Sequence, residues 1–211
     1  MRIAVCDVGL GNLRSVERAL LEASRGRRES IEVTTDPARV ARADRVVVPG
    51  QAAFRDCVRA LGGGMGEVIT SHIRSERPYL GICIGLQVLF GSSEEAPGCG
   101  GLGVLEGSVL RLRGGVDPLT QQPLKIPHIG WNSVEPTSGA SGPPLLSGPQ
   151  HFYFVHSFVV VPHDPSVIAA TTEYGERFAS AVSYGNVFAS QFHPEKSQRA
   201  GLALLERFLA S

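Results

Sequence analysis

Tyr79-Leu80-Gly81-Ile82-Cys83-Ile84-Gly85-Leu86-Gln87 is the stretch whose reading decides the fold. The apolar run 79–82 has the length and character of a buried strand, and 84–90 reads as the start of a helix. Between them sits Gly-x-Cys-x-Gly, the thiol version of a sharp strand-to-helix turn that pushes a nucleophile out of a sheet. The flanking glycines fit this turn because nothing with a Cβ sits beside so tight a bend. A helix N-terminus then lies beneath the sulfur and brings partial positive charge to it. A buried cysteine beside two packing glycines is the plainer reading of the same run.

A second run favours the chemical reading. Val187-Phe188-Ala189-Ser190-Gln191-Phe192-His193-Pro194-Glu195-Lys196-Ser197 is an apolar strand ending at His193, with Glu195 two residues later. A catalytic thiol needs a base in hydrogen-bond reach, and the base needs a third group to orient it. Residues i and i+2 of an extended segment project to one side, so Glu195 can lie beside His193. Pro194 biases His193 toward that extended form. Cys83, His193 and Glu195 are therefore the candidate catalytic residues.

Composition narrows the class without naming a function. The 211 residues suit one α/β domain spanning 1–211, and a formal net charge of +0 leaves no electrostatic footprint for nucleic acid or an anionic membrane. Apolar runs are all shorter than a membrane span, and Met1-Arg2-Ile3-Ala4-Val5 leads directly into a strand without a signal-peptide layout. The 4 cysteines (Cys6, Cys57, Cys83, Cys99) show no CxxC spacing, which points to a reduced, cytoplasmic protein.

The first half alternates strand and helix. Strands at 3–8, 31–35, 45–49 and 79–82 are separated by helical patterns at 13–23, 54–61 and 67–74, which argues for a mostly parallel sheet with helices on both faces. Beyond Gly91 the chain turns to glycine- and proline-punctuated strands at 103–112, 131–134, 151–161, 168–172, 179–183 and 186–191, with a last helix at 197–209. Loops 92–100, 114–123 and 137–150 read as irregular and exposed. Gly9-Leu10-Gly11-Asn12-Leu13-Arg14 follows the first strand as a dinucleotide loop does, with Asp36 at the end of the second. Arg14 stands where such a loop needs its third glycine, so a glycine-rich βα turn is the better reading. The 6 histidines show no metal-ligand spacing, and no metal or cofactor is expected.

The Gly81–Gln87 and Gln191–Glu195 runs together resemble the class I, triad-type glutamine amidotransferases. Four further runs are Asp7-Val8-Gly9-Leu10-Gly11-Asn12-Leu13-Arg14-Ser15-Val16, Pro49-Gly50-Gln51-Ala52-Ala53-Phe54, Lys125-Ile126-Pro127-His128-Ile129-Gly130-Trp131-Asn132 and Tyr153-Phe154-Val155-His156-Ser157. These are similar to the glutaminase subunits of imidazole glycerol phosphate synthases, so the resemblance spans essentially the whole chain. It implies hydrolysis of glutamine to glutamate and ammonia. The ammonia is passed to a separate (β/α)8-barrel cyclase subunit in a heterodimer, which makes imidazole glycerol phosphate and an aminoimidazole carboxamide ribotide in histidine biosynthesis. It also implies an oxyanion hole from the Ile84 N–H and one N–H of the Gly50-Gln51-Ala52 loop, with Gln87 and Gly50 near the bound glutamine.

The family loop usually reads Pro-Gly-x-Gly, and Ala52 departs from it. The resemblance implies that this loop reorients to complete the oxyanion hole, so an alanine needing positive φ there would hold the free subunit inactive. Asn12, Lys125, Trp131, Tyr153 and Lys196 are the expected partner contacts; Lys125 and Lys196 are the chain's two lysines, both inside matched runs. Trp131 reads equally as an interface anchor or as core, and Asn12 as an interface residue or a helix cap. Rival functions are the glutaminase of another synthase, such as that serving pyridoxal phosphate, a non-catalytic scaffold, and a cysteine hydrolase or peptidase on the same elbow.

Overall fold

The computed structural model describes residues 1–9, 11–117 and 120–211; Leu10, in the first βα loop, and Pro118 and Leu119, in the 114–123 loop, lie outside the described residues. Strands β1 (Arg2–Cys6), β2 (Ser30–Thr34), β3 (Arg45–Val48) and β4 (Tyr79–Ile82) are separated by helices α1 (Leu13–Ala23), α2 (Pro37–Ala41), α3 (Phe54–Ala60) and α4 (Met65–Arg74). One further turn, α5 (Ile84–Gln87), follows the elbow. Then come β5 (Gly107–Arg111), β6 (His128–Pro136), β7 (Gln150–His156), β8 (Phe158–Pro162), β9 (Ile168–Glu173), β10 (Arg177–Tyr184), β11 (Val187–Ser190) and the closing helix α6 (Gln198–Ala210).

The sheet runs β2-β1-β3-β4-β11-β10-β9-β6-β7, with β8 joined to β10 and β5 to β8. Its first five strands are parallel, and every pairing from β11 onward is antiparallel. The expected mostly parallel centre with antiparallel additions is therefore present. Period-two alternation divides the core. Ala4 and Cys6 of β1 face α2, α3 and α4 through Val40, Phe54, Cys57 and Ile69. Ile3 and Val5 face α1 and α6 through Val16, Leu20, Leu204 and Phe208.

Several expectations need correction. The helix after Cys83 stops at Gln87 rather than running to Phe90. The chain returning at 102–105 donates Leu102 N–H to Val88 O (2.7 Å) and Val104 N–H to Leu89 O (2.8 Å), so carbonyls that would extend the helix are taken from outside it. The single strand expected at 151–161 is two, because the chain switches at Ser157 from pairing with β6 to pairing with β5 and β10. Helix α2 was not foreseen; it is short and begins at the Asp36–Pro37 step, with Asp36 accepting the Ala38 N–H at 2.8 Å. Loops 92–100 and 137–150 are irregular but not fully exposed, since Ser93, Ala96 and Leu145 are buried. Ser183 and Arg207 also hold the second loop through the Pro143 and Leu145 carbonyls.

Candidate active site

The carboxyl ends of β3, β4 and β11 lie side by side and deliver the Gly50 loop, Cys83 and the Gln191-to-Glu195 segment to one place. Cys83 has φ 54° and ψ −100°, a conformation rarely adopted by a non-glycine residue. Its N–H donates to Ser190 O at 2.7 Å, tying the turn to β11. The glycines are sterically required: a Cβ at Gly81 would lie 2.5 Å from Gly85 O, and one at Gly85 only 1.8 Å from Val48 O.

His193 is extended (φ −104°, ψ 96°) and bridges to β7 by donating its N–H to Tyr153 O at 2.9 Å. Its Nδ1 lies 2.8 Å from Glu195 Oε1, and both side chains are almost fully buried. Ser197 fixes the turn by donating its Oγ–H to His193 O (2.6 Å) and accepting the Tyr153 N–H (3.0 Å). Burial works to lower the His193 pKa, but the Cys83 charge and the hydrogen-bonded Glu195 carboxylate outweigh it and raise it to about 9. The His193 Nε2 and Glu195 Oε2 atoms are buried without a hydrogen-bond partner, so the ring nitrogen not held by Glu195 is unengaged.

A cavity of about 220 Å³ opens at Cys83, lined among others by Gln51, Ala52, Gln87, Glu95 and His156. Gln87 donates its Nε2 to Phe158 O (3.2 Å) and to Gln191 Oε1 (3.1 Å). Glu95 takes the Phe54 N–H on Oε2 at 3.0 Å and brings a carboxylate to the cavity wall. The Ile84 N–H faces Gly50 O at 3.5 Å, so the loop offers an acceptor where an oxyanion would need a second donor. Ala52 is outside the positive-φ region in this arrangement.

The five expected partner contacts do not all meet. Trp131 and Tyr153 are register partners on β6 and β7, with ring centroids 6.1 Å apart, and Lys196 Nζ lies 5.7 Å from the Tyr153 ring. Trp131 is 48% exposed, which overturns its reading as a core residue. Lys125 lines a separate groove of about 440 Å³ that shares Pro127 with the Cys83 cavity. Asn12 is exposed and caps α1 by accepting the Ser15 N–H at 3.2 Å.

Residues 4–211 match the family Glutamine amidotransferase class-I. The Syntrophotalea carbinolica imidazole glycerol phosphate synthase subunit HisH is 47% identical over 207 residues, covering 98% of both chains. The Methylococcus capsulatus protein of the same description is 46% identical over 210 residues, covering 98% of this chain and 95% of its own. The chain belongs to the HisH subunits of the class-I glutamine amidotransferases. A solved structure described as a glutamine amidotransferase has the same fold at 20% identity, with a TM-score of 0.72 and coverage of 99% of this chain and 97% of its own.

Three features of this amidotransferase escaped the sequence reading. Gln191 is fully buried with its Nε2 3.5 Å from Cys83 Sγ, although it stands inside a run singled out for its histidine. Glu95 belongs to a loop read only as exposed. His128 and His156 pair at 2.9 Å (Nδ1 to Nε2), with His156 on the cavity wall and its Nδ1 3.0 Å from Phe158 O. Adjacent places on paired strands, which only the β6–β7 register reveals, create that pair. Among the described residues, no group of His, Cys, Asp and Glu is placed to hold a metal, and no helix is long and apolar enough to cross a membrane.

Proposed function

We propose that residues 1–211 act as one glutamine amidotransferase domain, in the cytoplasm, that hydrolyses glutamine to glutamate and ammonia through Cys83, His193 and Glu195. The ammonia passes to a (β/α)8-barrel cyclase subunit bound as a heterodimer, for synthesis of imidazole glycerol phosphate and aminoimidazole carboxamide ribotide in histidine biosynthesis. The observation that carries the reading is the strained Cys83 turn beside a buried His193–Glu195 pair at 2.8 Å.

The Cys83 proton moves to His193 Nε2, and Glu195 stabilises the imidazolium through Nδ1–H. Sulfur attacks the side-chain carbonyl of glutamine, and the carbonyl π-pair becomes an oxyanion. The C–N bond then breaks, with the amine leaving as ammonia after taking the proton from His193. Water, deprotonated by His193, adds to the resulting thioester, and expulsion of the sulfur returns Cys83 and releases glutamate. Imidazolium, formed when His193 takes the Cys83 proton, is the acid that ammonia departure needs, and the charge left on Cys83 together with Glu195 favours that form by raising the His193 pKa to about 9. The oxyanion requires the Ile84 N–H, so the Gly50–Gln51 peptide must turn its carbonyl away and present an N–H. Gln87 and Glu95 suit the substrate's polar groups, the carboxylate of Glu95 matching an α-ammonium.

The exposed Ile129, Trp131 and half-buried Tyr153, with Lys196, form an apolar face with one cation. It continues directly into the triad through the Tyr153 O to His193 N–H bond. A partner seated there covers the mouth of the site, which favours a gated glutaminase over a scaffold or a free-standing hydrolase. A diazoketone analogue of glutamine tests the chemistry, followed by peptide mass mapping. One adduct on Cys83, prevented by excess glutamine, is expected. Equal labelling of the half-exposed Cys99, or no protection by glutamine, would contradict a glutamine-directed thiol.

A further inference from the structure

We propose that Gln191 is a positioning residue that holds the Cys83 sulfur and, with the other end of its amide, fixes the orientation of Gln87; this rests on the nucleophilic role of Cys83 proposed above. Phe158 O is a carbonyl and can only accept, so the Gln87 Nε2 bound to it at 3.2 Å is a donor. The same nitrogen faces Gln191 at 3.1 Å, so Gln191 must present Oε1 there. Its Nε2 is then directed at Cys83 Sγ, 3.5 Å away. No other orientation of the two amides satisfies these contacts, and burial of Gln191 at 0% exposure makes an unsatisfied amide costly.

The sulfur is thus held between unlike partners. Val155 O lies 3.9 Å from Sγ as an acceptor for the thiol, and the Gln191 N–H approaches from the amide side. When the proton leaves for His193 the contact with Val155 O loses its hydrogen. The contact with Gln191 persists and becomes a hydrogen bond to an ionised acceptor, the stronger kind. Gln191 and His193 both follow directly on the end of β11 at Ser190, so a single strand end supplies both the base and the donor that receives the sulfur. The Gln191 backbone is anchored separately, its N–H donating to Ser180 O at 2.9 Å.

The test is alkylation by iodoacetamide, in which a sulfur–carbon bond forms and iodide leaves, read cysteine by cysteine in the full chain. Gln191→Met keeps the length of the side chain and removes both polar ends. Cys83 alkylation is expected to slow by about tenfold or more, as for the loss of one hydrogen bond to a charged acceptor. Cys99 should be unchanged, and the buried Cys6 and Cys57 should stay protected, whereas a merely structural role would speed all three by loosening the fold. A measurement on unaltered Gln191 guards against misfolding of the variant: its side-chain amide resonance should move when Cys83→Ala is introduced. Rapid wild-type labelling of Cys83 with an equal rate in Gln191→Met, or an unmoved amide resonance, would overturn the positioning role alone. Wild-type Cys83 reacting no faster than Cys99 would instead overturn the nucleophile reading on which it rests.

Discussion

Two opposed influences act on the His193 imidazole. Burial lowers its pKa, while Cys83 and Glu195 raise it to about 9, above the ordinary 6.5. Its contribution to folding stability is therefore complete below pH 6.5 and is lost as pH rises through about 9. Activity should follow the same titration, with kcat/KM falling above about pH 9 as the acid for ammonia departure disappears. Glu195→Gln should bring that basic limb to lower pH and reduce kcat; an unmoved limb would remove Glu195 from its role. Ala52 poses a second residue-scale question, since it avoids positive φ in the present loop. If turning the Gly50–Gln51 peptide requires positive φ at residue 52, alanine costs about 1 kcal/mol relative to glycine. Ala52→Gly should then raise partner-free glutaminase activity about fivefold, and no change would sink the idea. Cys83, His193 and Glu195 could be picked out in sequence as candidates because each sits in a short local pattern. Gln191 and Glu95 were not, because their polar contacts reach across 104 and 41 residues to Gln87 and Phe54.

Helix α6 does more than cover the sheet. A Cβ at Gly201 would lie 1.8 Å from Pro194 O, so the helix rests directly on the turn that carries Glu195. Gly201→Ala is expected to cost about 1–3 kcal/mol, in the range of other overpacked core sites, and to lower kcat by shifting Glu195 against His193. Wild-type stability and activity in this variant would contradict the contact. Three buried histidines also tie the elements to pH. Burial lowers His72 and His128 to about 4, and burial with the neighbouring His128 lowers His156 to about 3. The unfolded chain takes up these protons first, so stability present above pH 6.5 is lost as pH falls toward 4, by at most about 1.4 kcal/mol per pH unit for each histidine. A urea midpoint that stays flat between pH 7 and pH 5 would refute this. The parallel βα alternation was readable because its apolar periods are regular. The stop of α5 and the division of β7 from β8 were not, since strands and loops far along the chain cause both.

At the scale of the whole molecule, the carboxyl edge of the parallel sheet holds Cys83 and the His193–Glu195 pair, and the antiparallel extension carries the exposed Ile129 and Trp131. The resting loop offers Gly50 O to Ile84, which leaves the site one donor short. A partner on the Trp131, Tyr153 and Lys196 face is therefore proposed both to cover the site and to favour the turned loop. The most direct test is glutamate release from glutamine by the purified chain, alone and with the cyclase barrel and its ribonucleotide ligand. Low release alone, a large increase in the complex and loss of both in Cys83→Ala are predicted. No release with the partner demonstrably bound, or equal release with and without it, would contradict a partner-gated glutaminase.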